Sequence, residues 1–209
     1  MTRPAAPLIS LDLAVKATLD VIERDGLENL TLRTLATKLG VSAPSLYHHF
    51  ANKTEVLLAA AKELVREVPA PRVASFNDWR GWFKSMSLNV YKHVMQRPRA
   101  SALLLENFPH EMVFPFRNRA SELLVSAGVP TKEIVTVIRS FEKLTFGLIL
   151  ADAAEGLSGK REWADVPEGR FLAYGAALSA NTLDCEQALS VAIDIFLEGV
   201  SARYLAGKP

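Results

Sequence analysis

The chain of 209 residues is poor in cysteine and has no long hydrophobic run, and each deficit excludes a class of protein. Its one cysteine, Cys185, cannot form an intrachain disulfide, which excludes a disulfide-stabilised secreted scaffold. The longest apolar stretch, LTFGLILA from Leu144, is much shorter than a membrane-spanning helix. Residues 1–10 hold one arginine, two prolines and no apolar core, so we expect no signal peptide, no membrane partner and a cytoplasmic, reduced protein.

Sequence motifs of catalysis are also missing. There is no pair of cysteines, no His-Glu-x-x-His and no Gly-rich phosphate loop, since GLSGK at 156–160 is too short and follows no strand pattern. His48 and His49 are adjacent, whereas two metal ligands on one helix face need a spacing of three or four. We therefore expect no enzyme, no metal and no cofactor.

Acidic residues are absent between Glu28 and Glu55, although the whole chain has a formal net charge of only +1. The overall charge does not predict nucleic-acid binding, so the local distribution must carry that inference. Arg33, Lys38 and Lys53 lie in the acid-free stretch. A weakly basic surface of this kind suits the DNA phosphate backbone.

The same stretch contains two short helical patterns joined by a tight turn. Leu32, Leu35 and Leu39 recur at steps of three and four, which places them on one helix face. Gly40 suits a helix stop, and Ser42 can cap a second helix with Pro44 in its first turn. This layout predicts a helix-turn-helix, whose second helix enters the major groove of DNA.

Side-chain chemistry on the second helix agrees with this prediction. Leu46 and Phe50 lie four apart and can face inward with Val41. Hydrogen-bonding and stacking side chains are left to point outward or sideways: Ser45, Tyr47, His48 and His49. The alternative interpretation of the pattern is an ordinary three-helix subdomain with a tight turn.

Residues 13 to about 58 resemble the N-terminal domain of the tetracycline-repressor (TetR) family of bacterial regulators. The resemblance rests on ERDGLENLT from Glu23 and on LRTLATKLGVSAPSLYHHFANKTEVL from Leu32. It implies that Thr31 and Arg33 contact phosphates or a base edge, and that Lys53 binds phosphate. It also implies that Ser42 caps the recognition helix. The DNA-facing surface of that helix is then formed by Ala43, Pro44, Ser45, Tyr47, His48 and His49. Ala43 departs from the long polar residues common there and offers only a methyl contact, for example to thymine.

Helical patterns continue to the end of the chain, so the predicted fold is all-α, with an N-terminal helix-turn-helix domain and a C-terminal helical domain. We expect a DNA-binding domain over residues 1–52, a connecting helix and hinge over 53–75, and an effector-binding and dimerisation domain over 76–209. Asn77 and Asp78 can cap the first helix of the last domain. Residues 107–115 contain two prolines and are predicted to be irregular, and 156–169 to form a loop.

Two segments of the C-terminal domain, LTFGLILA from Leu144 and ALSVAIDIFL from Ala188, are apolar on most helix faces. Such helices must be buried on two sides, either inside the monomer or against a second subunit. Helix-turn-helix proteins typically read two-fold operators as dimers. The resemblance implies a homodimer through helices near 131–155 and 185–205, and a plain monomer core is the alternative.

The resemblance further implies a pocket for a small-molecule effector among the middle helices. Its expected apolar walls are Trp82, Met86, Phe116 and Phe141, and its expected polar groups are His93, Asn107 and His110. The chain is thus predicted to be a ligand-responsive transcriptional regulator that binds double-stranded operator DNA, a repressor released by a small, mainly apolar effector. The alternative is a helical small-molecule-binding protein or an enzyme that does not bind DNA.

Overall fold

A computed structural model describes residues 10–71, 78–158 and 171–206. Within these ranges the regular structure is entirely helical, with short 3-10 helices at Pro98–Ala102 and His110–Val113. The α-helices are α1 Leu11–Asp25, α2 Leu32–Leu39, α3 Ala43–Tyr47, α4 Lys53–Arg66, α5 Trp79–Val94, α6 Leu103–Glu106, α7 Phe114–Ala127, α8 Thr131–Ser158, α9 Leu172–Ala180 and α10 Cys185–Tyr204. The all-α prediction is confirmed.

Contacts divide the chain into two compact units, of which the first comprises residues 1–68 and 96–113. Its core is made by apolar side chains from α1, α2, α3, α4 and α6 and from the loop before α2. The following are all nearly inaccessible: Val21, Ile22, Leu30, Leu35, Leu46, Val56, Ala60 and Leu103. Helix α4 packs along α1 in this unit. The first unit therefore includes α4 and residues 96–113. The sequence-based division assigned α4 to the connecting segment 53–75 and residues 96–113 to the effector-binding domain 76–209. That division is one of function and stays a prediction.

The segment 96–113 is fastened to the helices of the first unit by charged groups. Arg97 Nη1 pairs with Asp20 on α1 at 2.8 Å, and the Arg99 backbone N–H donates to Glu23 at 3.1 Å. Lys62 on α4 pairs with Glu111 at 2.8 Å. These bonds hold both ends of the segment against α1 and α4.

The second unit comprises residues 69–95 and 114–209 and is built on α5, α7, α8 and α10. Helices α5 and α10 run antiparallel, because Lys84 pairs with Asp194 and the later Lys92 pairs with the earlier Glu186. Helix α7 is fixed to α8 by the Arg117–Glu142 pair, in which Nε donates to Oε1 at 2.8 Å. These ion pairs link α5 to α10 and α7 to α8.

Two local predictions are wrong in this unit. Helix α7 begins at Phe114, within the stretch predicted to be irregular, because a proline at the second helical position removes only an N–H that needs no partner. Helix α8 extends to Ser158, past the predicted start of the loop at 156, since Gly156 and Leu157 continue the helical hydrogen bonding. The rest of that loop and Asn77 lie outside the described residues.

Helix α9 differs from the others because it buries no side chain within this chain. Its sequence LAYGAALSA is apolar, yet Phe171, Leu172 and Tyr174 are all exposed. None of the described helices is long and apolar enough to cross a membrane.

Candidate DNA-recognition and effector sites

Helix α2 begins with a reciprocal cap formed by two threonines. The Thr34 backbone N–H donates to Thr31 Oγ1 at 3.0 Å, and the Thr31 backbone N–H donates to Thr34 Oγ1 at 2.9 Å. There is no acidic residue in the first turn of this helix. Its positive dipole end is therefore uncompensated, which favours a phosphate there.

The turn between α2 and α3 depends on the backbone of Gly40. This residue has φ 67° and ψ 32°, a left-handed conformation that a side chain disfavours. Its N–H and that of Val41 close the end of α2 by donating to the carbonyls of Thr37 and Ala36. The turn fixes the angle at which α3 leaves α2.

Ser42 occupies the cap position of α3, but its side chain does not cap the helix, contrary to the prediction. Its hydroxyl instead shares a 2.8 Å hydrogen bond with the Ser45 hydroxyl. The Ser42 backbone carbonyl accepts from the Ser45 N–H at 3.0 Å and starts the helix. Both hydroxyls are therefore engaged with each other rather than with the backbone N–H groups.

Helix α3 is only five residues long and buries one side, that of Leu46. Phe50, beyond the helix end, is also buried, while Tyr47 is 57% exposed. Among the other predicted DNA-facing residues, Pro44 and His48 are exposed and Ala43, Ser45 and His49 are half-buried. His48 and His49 follow the helix in a turn, in which the His49 N–H donates to the Leu46 carbonyl at 2.9 Å.

The two basic residues that are predicted to contact phosphate differ in their surroundings. Arg33 is exposed on the first turn of α2. Lys53, the first residue of α4, is half-buried and its Nζ donates to the Leu27 carbonyl at 3.4 Å. Lys53 therefore also ties the start of α4 to the loop before α2.

Aromatic residues predicted to line an effector pocket lie together in the second unit, packed around Phe83. The Phe83 ring is fully buried and meets that of Phe141 edge-on, with 4.8 Å between centroids. Trp82 stacks on Phe116 at 5.2 Å, and Phe116 stacks on Phe141 at 6.2 Å. The rings contact one another, so a ligand that enters between them must separate them.

The remaining predicted effector residues are more dispersed. Met86 and His93 lie seven apart on α5 and share one helix face, and both are half-buried. Asn107 ends α6, with its N–H donating to the Leu103 carbonyl at 2.9 Å. His110 is exposed, with its ring 5.1 Å from that of Phe108. Asn107 and His110 belong to the first unit, whereas the other five residues belong to the second.

Sequence reasoning missed a polar cluster in the second unit. Burial raises the pKa of Tyr91 to about 12, with further contributions from Asp152 and Cys185. Burial also raises the pKa of Asp152, against the opposing effect of a hydrogen bond from Cys185. Tyr91 lies on α5, Asp152 on α8 and Cys185 on α10, far apart in the chain, so no local spacing indicates that they would meet.

Two buried polar atoms have no hydrogen-bond partner in the described part of the chain, His93 Nε2 and Thr145 Oγ1. His93 was predicted as a site residue and Thr145 was not. A threonine in a helix ordinarily bonds back to the preceding turn, so the sequence carried no signal that Thr145 would lack a partner. No group of three or more His, Cys, Asp and Glu side chains suited to a metal ion occurs among the described residues.

Comparison with known proteins agrees with the geometry of the first unit. Residues 14–60 match the model of the bacterial regulatory proteins of the tetR family. The chain is 26% identical over 151 residues to the class E tetracycline repressor protein of Escherichia coli, covering 70% of each sequence.

Similar solved structures extend over nearly the whole chain. A possible TetR family transcriptional regulator from Streptomyces coelicolor A3(2) superposes with a TM-score of 0.80 at 22% identity, covering 91% of this chain and 98% of that one. The Streptomyces coelicolor TetR family protein ActR, in complex with (S)-DNPA, superposes with a TM-score of 0.73 at 20% identity, covering 95% of this chain and 100% of that one. At this identity the likeness is one of fold.

The capped α2, the left-handed Gly40 turn and the outward side chains of α3 define a helix-turn-helix DNA-binding transcriptional regulator. The family match covers the same residues, so residues 14–60 form a DNA-binding domain of the tetR type of bacterial regulatory proteins. The expected resemblance is confirmed.

Proposed function

We propose that this protein is a cytoplasmic transcriptional repressor that occupies operator DNA as a homodimer and leaves it when a small, mainly apolar effector binds the second unit. One observation carries the proposal. Helix α3 exposes Pro44 and Tyr47 while it buries Leu46, and His48 is exposed directly after it, in a stretch free of acidic residues. The named relatives include tetracycline repressors, which supports repression as the outcome of DNA binding.

The DNA contacts follow from where the side chains lie. Exposed Arg33 and the N-terminus of α2 would contact phosphates, and Lys53 would reach a phosphate at the start of α4. Tyr47 at the end of α3 and His48 directly after it would contact base edges or phosphates. Pro44 and Ala43 offer apolar contacts, which suit a thymine methyl group.

Dimerisation is supported by apolar residues that the single chain leaves exposed. A stripe of small and apolar side chains follows one face of α10 and remains accessible in this chain: Ala188, Val191, Ile195, Gly199 and Ala202. Gly147 and Ala151 on α8 are likewise exposed. Small residues permit close helix packing, so α8 and α10 can form a four-helix interface with a second copy.

Helix α9 strengthens the case for a second copy. An apolar helix with no buried residue is unfavourable in water, because its exposed apolar surface gains nothing from folding. Packing of Phe171, Leu172 and Tyr174 against the partner would bury this surface. Two copies would then present two recognition helices to a two-fold operator.

An effector in the second unit can act through the chain segments that connect it to the first. Residues 96–113 belong to the first unit by their contacts but are covalently continuous with α5 and α7. A ligand that moves α5 or α7 would therefore displace this segment and, through Lys62 and Asp20, α4 and α1. The ligand must favour the displaced state for this to release DNA. The complex of ActR with (S)-DNPA supports a small organic molecule as the effector class.

A gel-shift assay with the intergenic DNA beside the protein's own gene tests the proposal. We expect a discrete complex, with an apparent affinity that falls steeply as salt rises because phosphates are neutralised. A helical small-molecule-binding protein or an enzyme that does not bind DNA, the alternative function, would give no complex. The dimer is tested separately by light scattering, where a stable monomer at micromolar concentration would contradict it.

A further inference from the structure

Nearly every buried polar side chain in this structure has a hydrogen-bond partner. The buried polar residues among those described are Thr18, Glu63, Ser87, Ser101, Thr145 and Ser201. Five of them make hydrogen bonds to protein groups. Thr145 is the exception among these six, since its Oγ1 is inaccessible and finds no partner among the described residues. The other unpartnered atom, His93 Nε2, belongs to a half-buried side chain.

Thr18 shows what a buried helix threonine in this chain ordinarily does. Its hydroxyl donates to the Ala14 carbonyl one turn earlier at 2.8 Å, which satisfies the donor without any outside partner. The Thr145 hydroxyl does not bond back to Phe141 in this way, although Thr145 is only 3% exposed. A buried donor without an acceptor destabilises the folded chain, whereas valine would fill the same space without that penalty.

The buried residues of α8 one turn before and one turn after Thr145 are aromatic and apolar. Thr145 lies one helical turn after Phe141 and one before Ile149, on the same buried face of α8. The Phe141 ring is 4.8 Å from Phe83 on α5 and 6.4 Å from Phe196 on α10. The hydroxyl is therefore held on the α8 face that packs in the aromatic core of the second unit.

We infer that Thr145 is the polar anchor of the effector site, where its hydroxyl donates a hydrogen bond to a carbonyl or hydroxyl oxygen of an otherwise apolar, aromatic ligand. This inference rests on the proposed function and adds to it the chemistry of the effector. The rings of Trp82, Phe116 and Phe141 supply stacking surfaces once a ligand separates them. A donor without a partner in the free protein selects for a ligand that carries an acceptor.

A pair of probes that differ only in this acceptor tests the inference. 2-Acetylnaphthalene carries a carbonyl where 2-ethylnaphthalene has a methylene group. Calorimetry would compare both probes on the full-length parent, Thr145→Val and Thr18→Val, which removes a hydroxyl that already has a partner. We expect the parent to bind the ketone about tenfold more tightly than the hydrocarbon, Thr145→Val to lose this preference, and Thr18→Val to keep it.

Thermal unfolding without ligand provides a second readout that separates a ligand anchor from a structural hydroxyl. Thr145→Val should melt at or above the temperature of the parent, and Thr18→Val below it. The inference is overturned if Thr145→Val melts below the parent, if the parent does not prefer the ketone, or if Thr145→Val keeps the preference. Binding of neither probe to the parent at about 1 mM also overturns the assigned ligand class.

The gel-shift assay distinguishes failure of this inference from failure of the proposed function. If the parent and Thr145→Val both bind the intergenic DNA while no ketone preference exists, only the role of Thr145 is refuted. If the parent does not bind that DNA, the regulator function is refuted whatever the probes show.

Discussion

Tyr47 is the large side chain that α3 exposes most. It is 57% exposed, whereas its neighbour Leu46 is fully buried. Leu46 therefore packs α3 into the core of the first unit, and Tyr47 remains accessible for contact with DNA.

Tyr47→Ala should weaken operator binding about tenfold in a gel-shift titration, because it removes a stacking and hydrogen-bonding group from the DNA-facing side. The melting temperature should stay near that of the parent, since little buried surface is lost. Leu46→Ala is the matched control and should destabilise the fold by about 2–5 kcal/mol. Parental DNA affinity in Tyr47→Ala would contradict the assignment of α3.

Asp152 is predicted to make stability depend on pH. Burial raises its pKa in the folded chain, so the proton is held more tightly than in the unfolded chain. Its contribution to stability is therefore fully present below the unfolded pKa of about 3.9 and is lost as pH rises through the folded value.

Asp152→Asn cannot lose a proton and still offers an oxygen to the Cys185 thiol. Its melting temperature should exceed that of the parent at about pH 7, and the difference should shrink as the pH falls towards about 3.5. Thermal unfolding at four or five pH values measures this. A difference that is constant across the range would show that the Asp152 carboxyl is not perturbed.

Helix α10 presents two faces whose roles the structure separates. Ile193 is fully buried against the chain's own core, whereas Ile195 is 65% exposed. Ile193 therefore packs inside the chain, whereas Ile195, two positions later, lies on the exposed face of the helix.

Ile195→Glu should convert the proposed dimer to a monomer while helical circular dichroism is retained, because the charge would be buried only in the dimer interface. Ile193→Glu, the control, should unfold the second unit at room temperature, since it places an unpaired charge in the core. Light scattering and circular dichroism check the two results. A dimer that persists in Ile195→Glu at micromolar concentration would exclude this face of α10 from the interface.

The chain returns to its N-terminal unit after α5, and this return connects sensing to DNA binding in the proposed mechanism. Residues 96–113 pack on α1 and α4, while the covalent chain leads from them into α5 and α7. The Arg97–Asp20 pair is the long-range ion pair nearest the point of return, with both side chains more than a third exposed.

Asp20→Asn and Arg97→Gln should each loosen the attachment of residues 98–102 to α1, and the double variant should do no more than either change alone. Because the pair is exposed, global stability should fall by less than about 1 kcal/mol. Amide hydrogen exchange over residues 98–106 should be faster in all three variants than in the parent. Unchanged exchange would show that packing alone holds the segment.

Local signals in the sequence determined most of the helix-turn-helix. Gly40, Asn52 and the apolar spacing of α2 act on neighbours within a few residues, so each predicted element appears where its residues indicated. Asn52 also acts locally, since it accepts from the Glu55 N–H at 3.0 Å and caps α4. The error in this region was also local, because the Ser42 hydroxyl bonds the Ser45 hydroxyl instead of the backbone. In the second unit, the start of α7 before Pro115 is local as well.

Tertiary structure alone decided which side chains of the second unit are satisfied, buried or exposed. Thr145 and Thr18 have the same chemistry and similar helical settings, yet only Thr18 has an acceptor. Asn107 and His110 are predicted from the sequence to line the same effector pocket as Phe116, but their contacts place them in the first unit. Whether a side chain is buried or hydrogen-bonded depends on residues that are far away in the chain. The spacing of residues along one helix does not indicate which distant helix will cover its side chains.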